Sequence, residues 1–306
     1  MHAVDTILVT GAGGFVGSAL CDHLRDTGYR DVFGATSADC DLTSREGTDA
    51  LFRQLQPSYV FHMAAKVFGI VGNMQNQFSS FVDNTLINTH VIEACAKYRV
   101  RKVCAMGTVA MYGDHEGDAP IREDMMWFAP PHKSEYGYAS AKRAMLAQLT
   151  VSGLRWVMPI STNLYGEGDR FNIDTGHVIP SLIRKFYEGA RDKKPVVVWG
   201  NGQQRRDFLY IGDVCRALVK LMELGNGAVN MAGGSTKSIA DATTILTELT
   251  GVDVVWDLTK PTGQVNRRYD VRGLAATGFA SATTLSAGLK ATMEWYASNE
   301  KTARKL

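Results

Sequence analysis

Short apolar runs rich in β-branched residues alternate along the chain with longer segments in which apolar residues recur at helical spacing. Helical periodicity is clearest over residues 16–27 and 84–98. The strand-like runs are TILVT (6–10), YVFHMAA (59–65), KVCAMG (102–107) and LRWVMPIST (154–162). This alternation predicts βαβ units in an α/β fold, a Rossmann-like parallel sheet flanked by helices, with ligands at the carboxyl ends of its strands.

The alternation weakens after about residue 165, where glycine-rich loops and isolated helices follow. AVNMAGG (228–234) is a late strand-like run that would rejoin the sheet. We therefore predict two discontinuous domains. The Rossmann-like domain comprises residues 1–165 and 205–232, and a smaller second domain comprises residues 166–204 and 233–306.

Composition narrows the functional classes without naming one. The 306 residues are 45% hydrophobic and 21% charged, and 33 basic against 31 acidic residues give a net charge of only +2, which favours neither nucleic acid nor membrane as a partner. Five cysteines, with no CxxC pair, argue against a disulfide framework and a metal site and favour a reducing compartment. The N-terminal apolar run is too short for a signal peptide or membrane span, so the cytoplasm is the expected location.

The segment ILVTGAGGFVGSAL places three glycines between the first strand and the first helix. Gly11 permits a tight turn, Gly14 lets backbone N–H groups approach a pyrophosphate, and Gly17 lets the helix pack closely on the strand. Without a ligand the same glycines would simply form a tight turn. Because a strand precedes them and a helix follows, we predict a dinucleotide site that also includes Phe15 and Val16.

The end of the second strand, FGATSADCDL, bears on the choice of dinucleotide. Neither an acidic residue for the NAD ribose nor an arginine for the NADP phosphate stands at the expected place, and Thr36 or Ser37 would suit either. With no carboxylate to repel the phosphate, NADP(H) is favoured, and NAD(H) is the alternative. Asp41, with Leu42 beside it, is a candidate for the adenine edge. Equally, Asp41 would serve as the N-cap of a helix that begins at residues 42–44.

Two tyrosines precede one lysine in SEYGYASAK (134–142). On a helix Tyr138 and Lys142 share one face at i and i+4, whereas Tyr136 points away. Reduction of a ketone requires a proton donor for the forming oxyanion. A tyrosine supplies it if an ammonium lowers its pKa, and Thr108 after the strand KVCAMG would bond the same carbonyl. Alone, the pair is more typical of a plain surface pair, but after a dinucleotide loop we predict catalysis.

With GxxGxxG, a threonine and YxxxK in order, the chain resembles the extended short-chain dehydrogenase/reductases (NAD-dependent epimerase/dehydratases) that act on nucleotide sugars. Further segments are similar to the GDP-L-fucose synthase subfamily: AAKVFGIVGN (64–73), VMPISTNLYGEGDRF (157–171), GHVIPSLIRKF (176–186), VVVWGNGQQRRDFLYIGDV (196–214) and KPTGQVNRRYD (260–270). The resemblance implies NADP(H)-dependent reduction of the C4 ketone of a GDP-linked 4-keto-6-deoxy sugar, hexose or heptose. It also implies a homodimer built from helices such as 84–98 and the one that starts near Tyr138. A second domain that binds the nucleotide sugar is implied as well.

The resemblance also implies roles for particular residues. Its catalytic triad falls on Thr108, where serine is usual, and on Tyr138 and Lys142. The cofactor set extends to Ala64, Ala65, Lys66 and His177. Its substrate-binding positions fall on Asn163, Arg184, Trp199, Arg206 and Arg267. Without the resemblance, Trp199 would be interpreted as a core aromatic and Arg206 as part of a solvated charge run.

The chain departs from the subfamily at one catalytic position. Epimerisation beside a ketone needs an acid and a base on opposite faces, for which the subfamily uses a cysteine and a histidine. The histidine corresponds to His177, either as an acid or as a loop anchor, but Ala110 stands where the cysteine is expected. Cys104 is expected to be buried, and His115 and Lys66 are weak substitutes. Reduction is therefore the expected half of the reaction.

Two neighbouring chemistries and one other class of protein can be compared. A 4,6-dehydratase requires an Asp-Glu pair after the threonine, where this chain has Val109 and Ala110. A nucleotide-sugar 4-epimerase with tightly bound NAD needs only the triad and stays an alternative. A non-catalytic dinucleotide-binding protein is the alternative of another class, against which the intact tyrosine–lysine pair argues.

Overall fold

A parallel sheet of seven strands forms the centre of the computed structural model, which describes residues 1–68, 70–114, 119–174, 176–259 and 266–305. The strands are β1 (Ile7–Thr10), β2 (Val32–Ala35), β3 (Tyr59–His62), β4 (Lys102–Ala105), β5 (Gly107–Thr108), β6 (Trp156–Ser161) and β10 (Gly227–Met231). Their order is β10-β6-β4-β3-β1-β2, and β5 also pairs with β6.

Two smaller sheets lie outside this one. In the first, β9 pairs in parallel with β7 and antiparallel with β11; in the second, β8 and β12 pair in parallel. These strands are β7 (Asn163–Tyr165), β8 (Val196–Trp199), β9 (Arg205–Tyr210), β11 (Thr236–Ser238) and β12 (Val254–Asp257).

Ten α-helices are present in the described part of the chain. They are α1 (Phe15–Asp26), α2 (Arg45–Leu55), α3 (Ile70–Gln75), α4 (Gln77–Lys97), α5 (Tyr136–Val151), α6 (Val178–Asp192), α7 (Ile211–Leu224), α8 (Ile239–Thr250), α9 (Arg272–Ala275) and α10 (Leu285–Asn299). No helix of the described residues is long and apolar enough to cross a bilayer.

The alternation of side chains along the central strands divides the core into two layers. Leu8 and Val60 face a layer that α4 and α5 complete with residues such as Val91 and Met145. Ile7 and its neighbours on the other face pack against α1 and α7. Strands that are apolar on both faces are typical of a parallel sheet covered by helices, so the predicted fold class is confirmed. A third cluster joins α6, α8 and α10.

Most of the predicted helices and strands are present, but some begin or end at other residues than predicted. The late strand at 228–234 is found as β10, which pairs with β6 and rejoins the sheet as predicted. The helix expected at 84–98 begins earlier, at Gln77. The sequence pattern did not indicate its first turns because they expose Phe78 and lack the apolar periodicity. Within residues 205–232, β9 belongs to the small sheet, while α7 packs on the central one. The domain boundaries themselves stay a prediction.

Candidate active site

The glycine loop between β1 and α1 leaves backbone where side chains would otherwise stand. Gly11 has φ +72°, and a Cβ added at Gly17 would lie 2.2 Å from the carbonyl oxygen of Gly11. Gly14 is the N-cap of α1 and caps it with no side chain. The N–H groups of the first turn are thus available to an anion, and the residues fit the pyrophosphate of a dinucleotide. Phe15 and Val16 open this helix, which begins one residue earlier than predicted, and their roles toward the cofactor stay predictions.

The loop after β3 forms the neighbouring wall. A Cβ on Gly11 would lie 2.7 Å from Cα of Ala64, and Ala64 N donates to Thr10 Oγ1 at 3.3 Å. Asn84, buried in α4, holds the far end of this loop, since its Oδ1 accepts from Lys66 N at 2.9 Å and its Nδ2 donates to Lys66 O at 3.0 Å. No role of Asn84 was predicted from the sequence. The sequence signal that could have indicated a role is a polar residue on the apolar face of a predicted helix.

Replacing Asn84 with alanine is expected to weaken dinucleotide binding by about tenfold while the protein stays folded. The change removes two hydrogen bonds that fix the 64–66 loop, each of which contributes roughly 1 kcal/mol. Titration of the protein with NADPH, followed by its fluorescence, measures the effect. Thr85→Ala, one residue along α4, is the matched control and should bind as the wild type does. Equal affinity of the Asn84 variant would contradict this role for the loop.

The candidate proton donor and its lysine lie in α5, which begins at Tyr136. Tyr136 is 52% exposed, whereas Tyr138 is half-buried and Lys142 is only 1% exposed. The helix therefore places Tyr138 and Lys142 one turn apart on its inner side, as the spacing predicted. Burial lowers the pKa of Lys142 to about 8. Within the described chain, its ammonium makes no hydrogen bond or ion pair.

The phenol of Tyr138 behaves differently from the prediction. We expected Lys142 to lower its pKa, but burial raises the pKa of Tyr138 and the charge of Glu135 raises it further. Desolvation penalises both charged forms, the phenolate and the ammonium, and it is the largest influence on each group here. Tyr138 is consequently protonated at neutral pH, which is the form that donates a proton.

A buried polar chain lies beneath Lys142. Thr10 Oγ1 and His62 Nδ1 are 2.8 Å apart, and His62 Nε2 lies 3.1 Å from Oδ1 of Asn88 in α4. Burial, together with the charge of Lys142, lowers the pKa of His62 to about 3, so its ring is neutral. These contacts join the carboxyl ends of β1 and β3 to α4 without placing a carboxylate beside the lysine.

Thr108, the last residue of β5, starts a loop that is tied to α5. Its Oγ1 accepts from Ala110 N at 3.3 Å, which leaves the hydroxyl proton free to be donated. Arg143, next to Lys142, donates from Nε to Met111 O at 2.8 Å. The helix that carries the tyrosine thus also fixes the loop that carries the threonine.

A second arginine, from a distant part of the chain, holds the same loop. Arg267 donates to Val109 O at 3.3 Å and to Gly113 O at 3.1 Å, and its Nε is buried with no described partner. Burial lowers the pKa of Arg206, and the positive charge of Arg267 nearby lowers it further. The structure therefore brings two of the predicted substrate arginines together, next to the loop of Thr108. Two partly buried cations in one place favour an anionic ligand.

The other predicted substrate residues lie on separate elements. Asn163, the first residue of β7, donates to Asp207 O at 3.2 Å. Trp199 ends β8 and is 56% exposed, which does not fit a core aromatic. Arg184 on α6 is bonded to Glu188 at 2.8 Å. The roles of all three residues toward substrate stay predictions. Arg184 would have to bind substrate while it is ion-paired to a residue of its own helix.

His177 is the N-cap residue of α6, and its side chain is 65% exposed. Its Nδ1 lies 3.9 Å from Oδ1 of Asp169, a buried residue of the loop between β7 and α6. No hydrogen bond between described residues joins His177 to Tyr138 or Lys142. The imidazole is therefore accessible to a ligand, and its catalytic and cofactor roles stay predictions.

Comparison with known proteins identifies the family. The model of the NAD dependent epimerase/dehydratase family matches residues 7–232, which span β1 to β10. The chain belongs to the NAD dependent epimerase/dehydratase family. This confirms the resemblance seen in the glycine loop and the YxxxK spacing.

Relatives within the family cover nearly the whole chain. A GDP-L-fucose synthase of Dictyostelium discoideum is 31% identical over 98% of this chain and 98% of its own length. GDP-L-fucose synthase 1 of Arabidopsis thaliana is 32% identical over 96% and 93%. The crystal structure of a GDP-L-fucose synthetase from Naegleria fowleri bound to NADP has a TM-score of 0.91 and 28% identity, with coverage of 100% and 96%.

The turn after β2, where this family's fold receives the adenosine ribose, differs from the prediction in one respect. Asp41 Oδ1 accepts from Thr43 N at 2.9 Å, and Ser44 caps α2 by accepting from the N–H of Gly47. The interpretation of Asp41 as the helix N-cap is therefore wrong, while its adenine role and those of its neighbours stay predictions. These neighbours are Ser37 and Leu42.

Asp39 is a carboxylate of this turn for which no role was predicted from the sequence. Its Oδ2 accepts from Thr36 N at 2.8 Å and from Thr36 Oγ1 at 2.6 Å, directly after β2. No lysine or arginine stands in residues 32–44. From its own residues the turn thus offers hydroxyls and backbone to a ribose, and no cation to a 2′-phosphate.

The position of the missing family cysteine has no described replacement. Ala110 lies in a single 3-10 turn after Thr108. Cys104 is fully buried in β4 and burial raises the pKa of its thiol, so it is inert, as expected. Lys66 is ion-paired to Asp83 at 2.8 Å. His115 lies outside the described residues.

Proposed function

We propose that this protein is an NADP(H)-dependent reductase of the C4 ketone of a GDP-linked 4-keto-6-deoxy sugar, either a hexose or a heptose. One observation carries the proposal: the loop of Thr108 is held by Arg143 of the catalytic helix and by Arg267, which lies beside Arg206. The helix that carries the proton donor and one of a pair of cations thus both hold the same loop. The relatives named GDP-L-fucose synthase and the NADP-bound structure support the choice of substrate class and cofactor.

The residues of the chain divide the reduction between them. When bound, NADPH supplies hydride to C4. Tyr138, protonated because burial raises its pKa, donates its proton to the oxygen of the former ketone. Thr108 donates a hydrogen bond to the same oxygen, and Lys142 lies one turn along the helix, where its charge favours the phenolate that remains.

The arginines provide the binding energy for the nucleotide part of the substrate. Arg206 and Arg267 are charged and partly desolvated, so both would attract the pyrophosphate of a sugar nucleotide, and the unpaired Nε of Arg267 could donate to it. Asn163, Arg184 and Trp199 complete the proposed substrate set. Residues of the glycine loop and the 64–66 loop hold the dinucleotide. Because residues 32–44 contain no lysine or arginine to bind a 2′-phosphate, NAD(H) is the alternative cofactor.

Ala110 argues against inversion at C3 or C5, since alanine cannot carry a proton. We therefore expect the enzyme to reduce the ketone of GDP-4-keto-6-deoxy-D-mannose in heavy water without deuterium entering the carbons beside it. Mass spectrometry and NMR of the product measure the label. Deuterium at both C3 and C5 would show an epimerase-reductase instead. Ala110→Cys is the informative variant, because it restores the family thiol and is expected to introduce exchange.

The second candidate function is nucleotide-sugar epimerisation with tightly bound NAD, which the triad alone would permit. Release of the cofactor distinguishes the two. A reductase is expected to exchange its dinucleotide at every turnover and to consume one NADPH per sugar. An epimerase would retain NAD through purification and turn over sugar without net oxidation of added NADPH. A purely binding protein would do neither.

The proposed assembly is a homodimer. Apolar side chains on the outer surface of α4 and at the start of α5 support it, since Phe78 is 81% exposed and Phe81 and Tyr136 are also exposed. The proposed location is the cytoplasm, in keeping with five free cysteines. The division into a cofactor domain and a nucleotide-sugar domain at the predicted boundaries is likewise proposed.

A further inference from the structure

A buried carboxylate with one unsatisfied oxygen lies beside His177. Asp169 is 2% exposed, and its Oδ1 accepts from Arg170 N at 2.7 Å. Its Oδ2 has no hydrogen-bond partner in the described part of the chain. Leaving a buried acceptor unpaired costs free energy, and such groups in native proteins commonly have a functional reason.

The geometry determines which nitrogen of His177 is available. Nδ1 is the nitrogen near Asp169, at 3.9 Å from Oδ1. The two ring nitrogens lie on opposite sides of the imidazole, and the side chain is 65% exposed. Nε2 therefore faces away from the carboxylate and is open to a ligand. In many proteins a carboxylate on one nitrogen fixes the orientation of the ring and the position of its proton.

Three charged groups face Asp169 from the elements around it. His177 approaches from the start of α6, Arg170 follows Asp169 in its own loop, and Arg304 comes from the C-terminal segment, where it forms a β-bridge with Arg170. Burial raises the pKa of Asp169 to about 6, and the three neighbouring charges only reduce this rise. The carboxyl group thus changes its charge close to neutral pH.

We propose that Asp169 is a positioning residue that acts through His177, accepting the proton of Nδ1 so that the unprotonated Nε2 points at the bound sugar and accepts a hydrogen bond from it. The inference rests on the proposed function, because the sugar is the donor. No bond is made or broken by the pair. Protonation of Asp169 removes the anion that orients the ring, so the contribution of His177 to turnover is lost at acid pH.

The test compares Asp169→Asn, His177→Gln and the double variant with GDP-4-keto-6-deoxy-D-mannose and NADPH across pH 5–9. We expect Asp169→Asn to lower kcat about tenfold at pH 7.5 with little change in KM, and to abolish the fall in kcat that the wild type shows below about pH 6. His177→Gln should lose a similar factor, and the double variant no more than either single one, because both act as one unit. Wild-type kcat and pH profile in Asp169→Asn, or multiplied losses in the double variant, would overturn the proposal.

Stability separates positioning from a merely structural role. Because burial already disfavours the ionised form of Asp169, its asparagine variant is expected to melt no lower than the wild type at pH 7.5. A large drop in melting temperature would make Asp169 a structural residue instead. Asp174→Asn, an exposed carboxylate of the same segment, is the matched control and should leave kcat unchanged.

A readout without substrate keeps this inference distinct from the proposed function. The ring nitrogen signals of His177, assigned through His177→Gln, are recorded by ¹⁵N NMR at pH 8 in the wild type and in Asp169→Asn. We expect the ring proton on Nδ1 in the wild type and a larger share of it on Nε2 in the variant. If the wild type does not reduce the sugar, the proposed function fails, yet the position of this proton still decides the pairing. The same distribution in both proteins would refute the pairing whatever the activity.

Discussion

Tyr138→Phe is expected to lower turnover by about 10²- to 10⁴-fold while NADPH still binds as it does to the wild type. The substitution removes only the phenol hydroxyl, which is the proposed proton donor to the sugar oxygen. Because burial keeps Tyr138 protonated at neutral pH, phenylalanine removes that proton without removing a charge. Single-turnover kinetics at saturating sugar and NADPH measure the chemical step, and NADPH fluorescence measures binding.

Tyr136→Phe is the matched control for this prediction. The two tyrosines stand two residues apart in one helix, but Tyr136 is exposed and Tyr138 is half-buried. The control should turn over at the wild-type rate. If both variants lose activity equally, the helix and not the phenol is at fault; if Tyr138→Phe is fully active, the proposed mechanism is wrong.

Local features of the chain were predictable because local physics determines them. The spacing of Tyr138 and Lys142 places them together on any α-helix, whatever surrounds it. Gly11 and Gly17 predicted a close approach of helix to strand, and an added Cβ at Gly17 indeed has no room. The apolar runs at 6–10 and 102–107 predicted central strands, which pair through β3.

Contacts between distant segments were not predictable from one sequence. Nothing near Arg267 indicates that it bonds the carbonyl of Val109, more than 150 residues earlier, because backbone carbonyls leave no mark in a sequence. The same holds for Arg143 and Met111. These two arginines nevertheless determine where Thr108 lies, so the assembly of the site was beyond sequence reasoning.

The pKa of Tyr138 shows a second kind of limit. The spacing correctly predicted that Lys142 lies one helical turn from Tyr138, but the sign of the change in the pKa of the phenol depends on how much water surrounds the pair. In an exposed pair the ammonium would dominate and lower the pKa of the phenol. Here Lys142 is buried and burial raises the pKa of Tyr138 instead, an outcome that only the packing of α4 and α5 determines.

Lys142→Met is expected to stabilise the folded protein at pH 7 by up to about 3 kcal/mol while lowering turnover by at least about 10²-fold. Burial lowers the pKa of Lys142 from 10.5 to about 8, so the folded state binds this proton less tightly than the unfolded chain does. The penalty is fully present below about pH 8, where both states are protonated. Methionine fills the same volume and carries no charge to desolvate.

The pH dependence of this gain distinguishes desolvation from simple better packing. Between about pH 8 and 10.5 the folded lysine is neutral while the unfolded one still binds a proton, so the wild type gains stability on the variant as pH rises. The difference in free energy of unfolding, measured with urea, should therefore shrink across this range and nearly vanish above it.

Lys133 is an exposed lysine just before α5, and Lys133→Met is the control that should change neither stability nor turnover. A gain that stays constant up to pH 10.5 would show that packing, and not the buried ammonium, explains it, and a variant less stable than the wild type at pH 7 would mean that Lys142 holds the fold together. A buried cation that weakens the fold and has no described partner is explained by its role toward the phenol and the cofactor, which is why stability and activity are expected to change in opposite directions here.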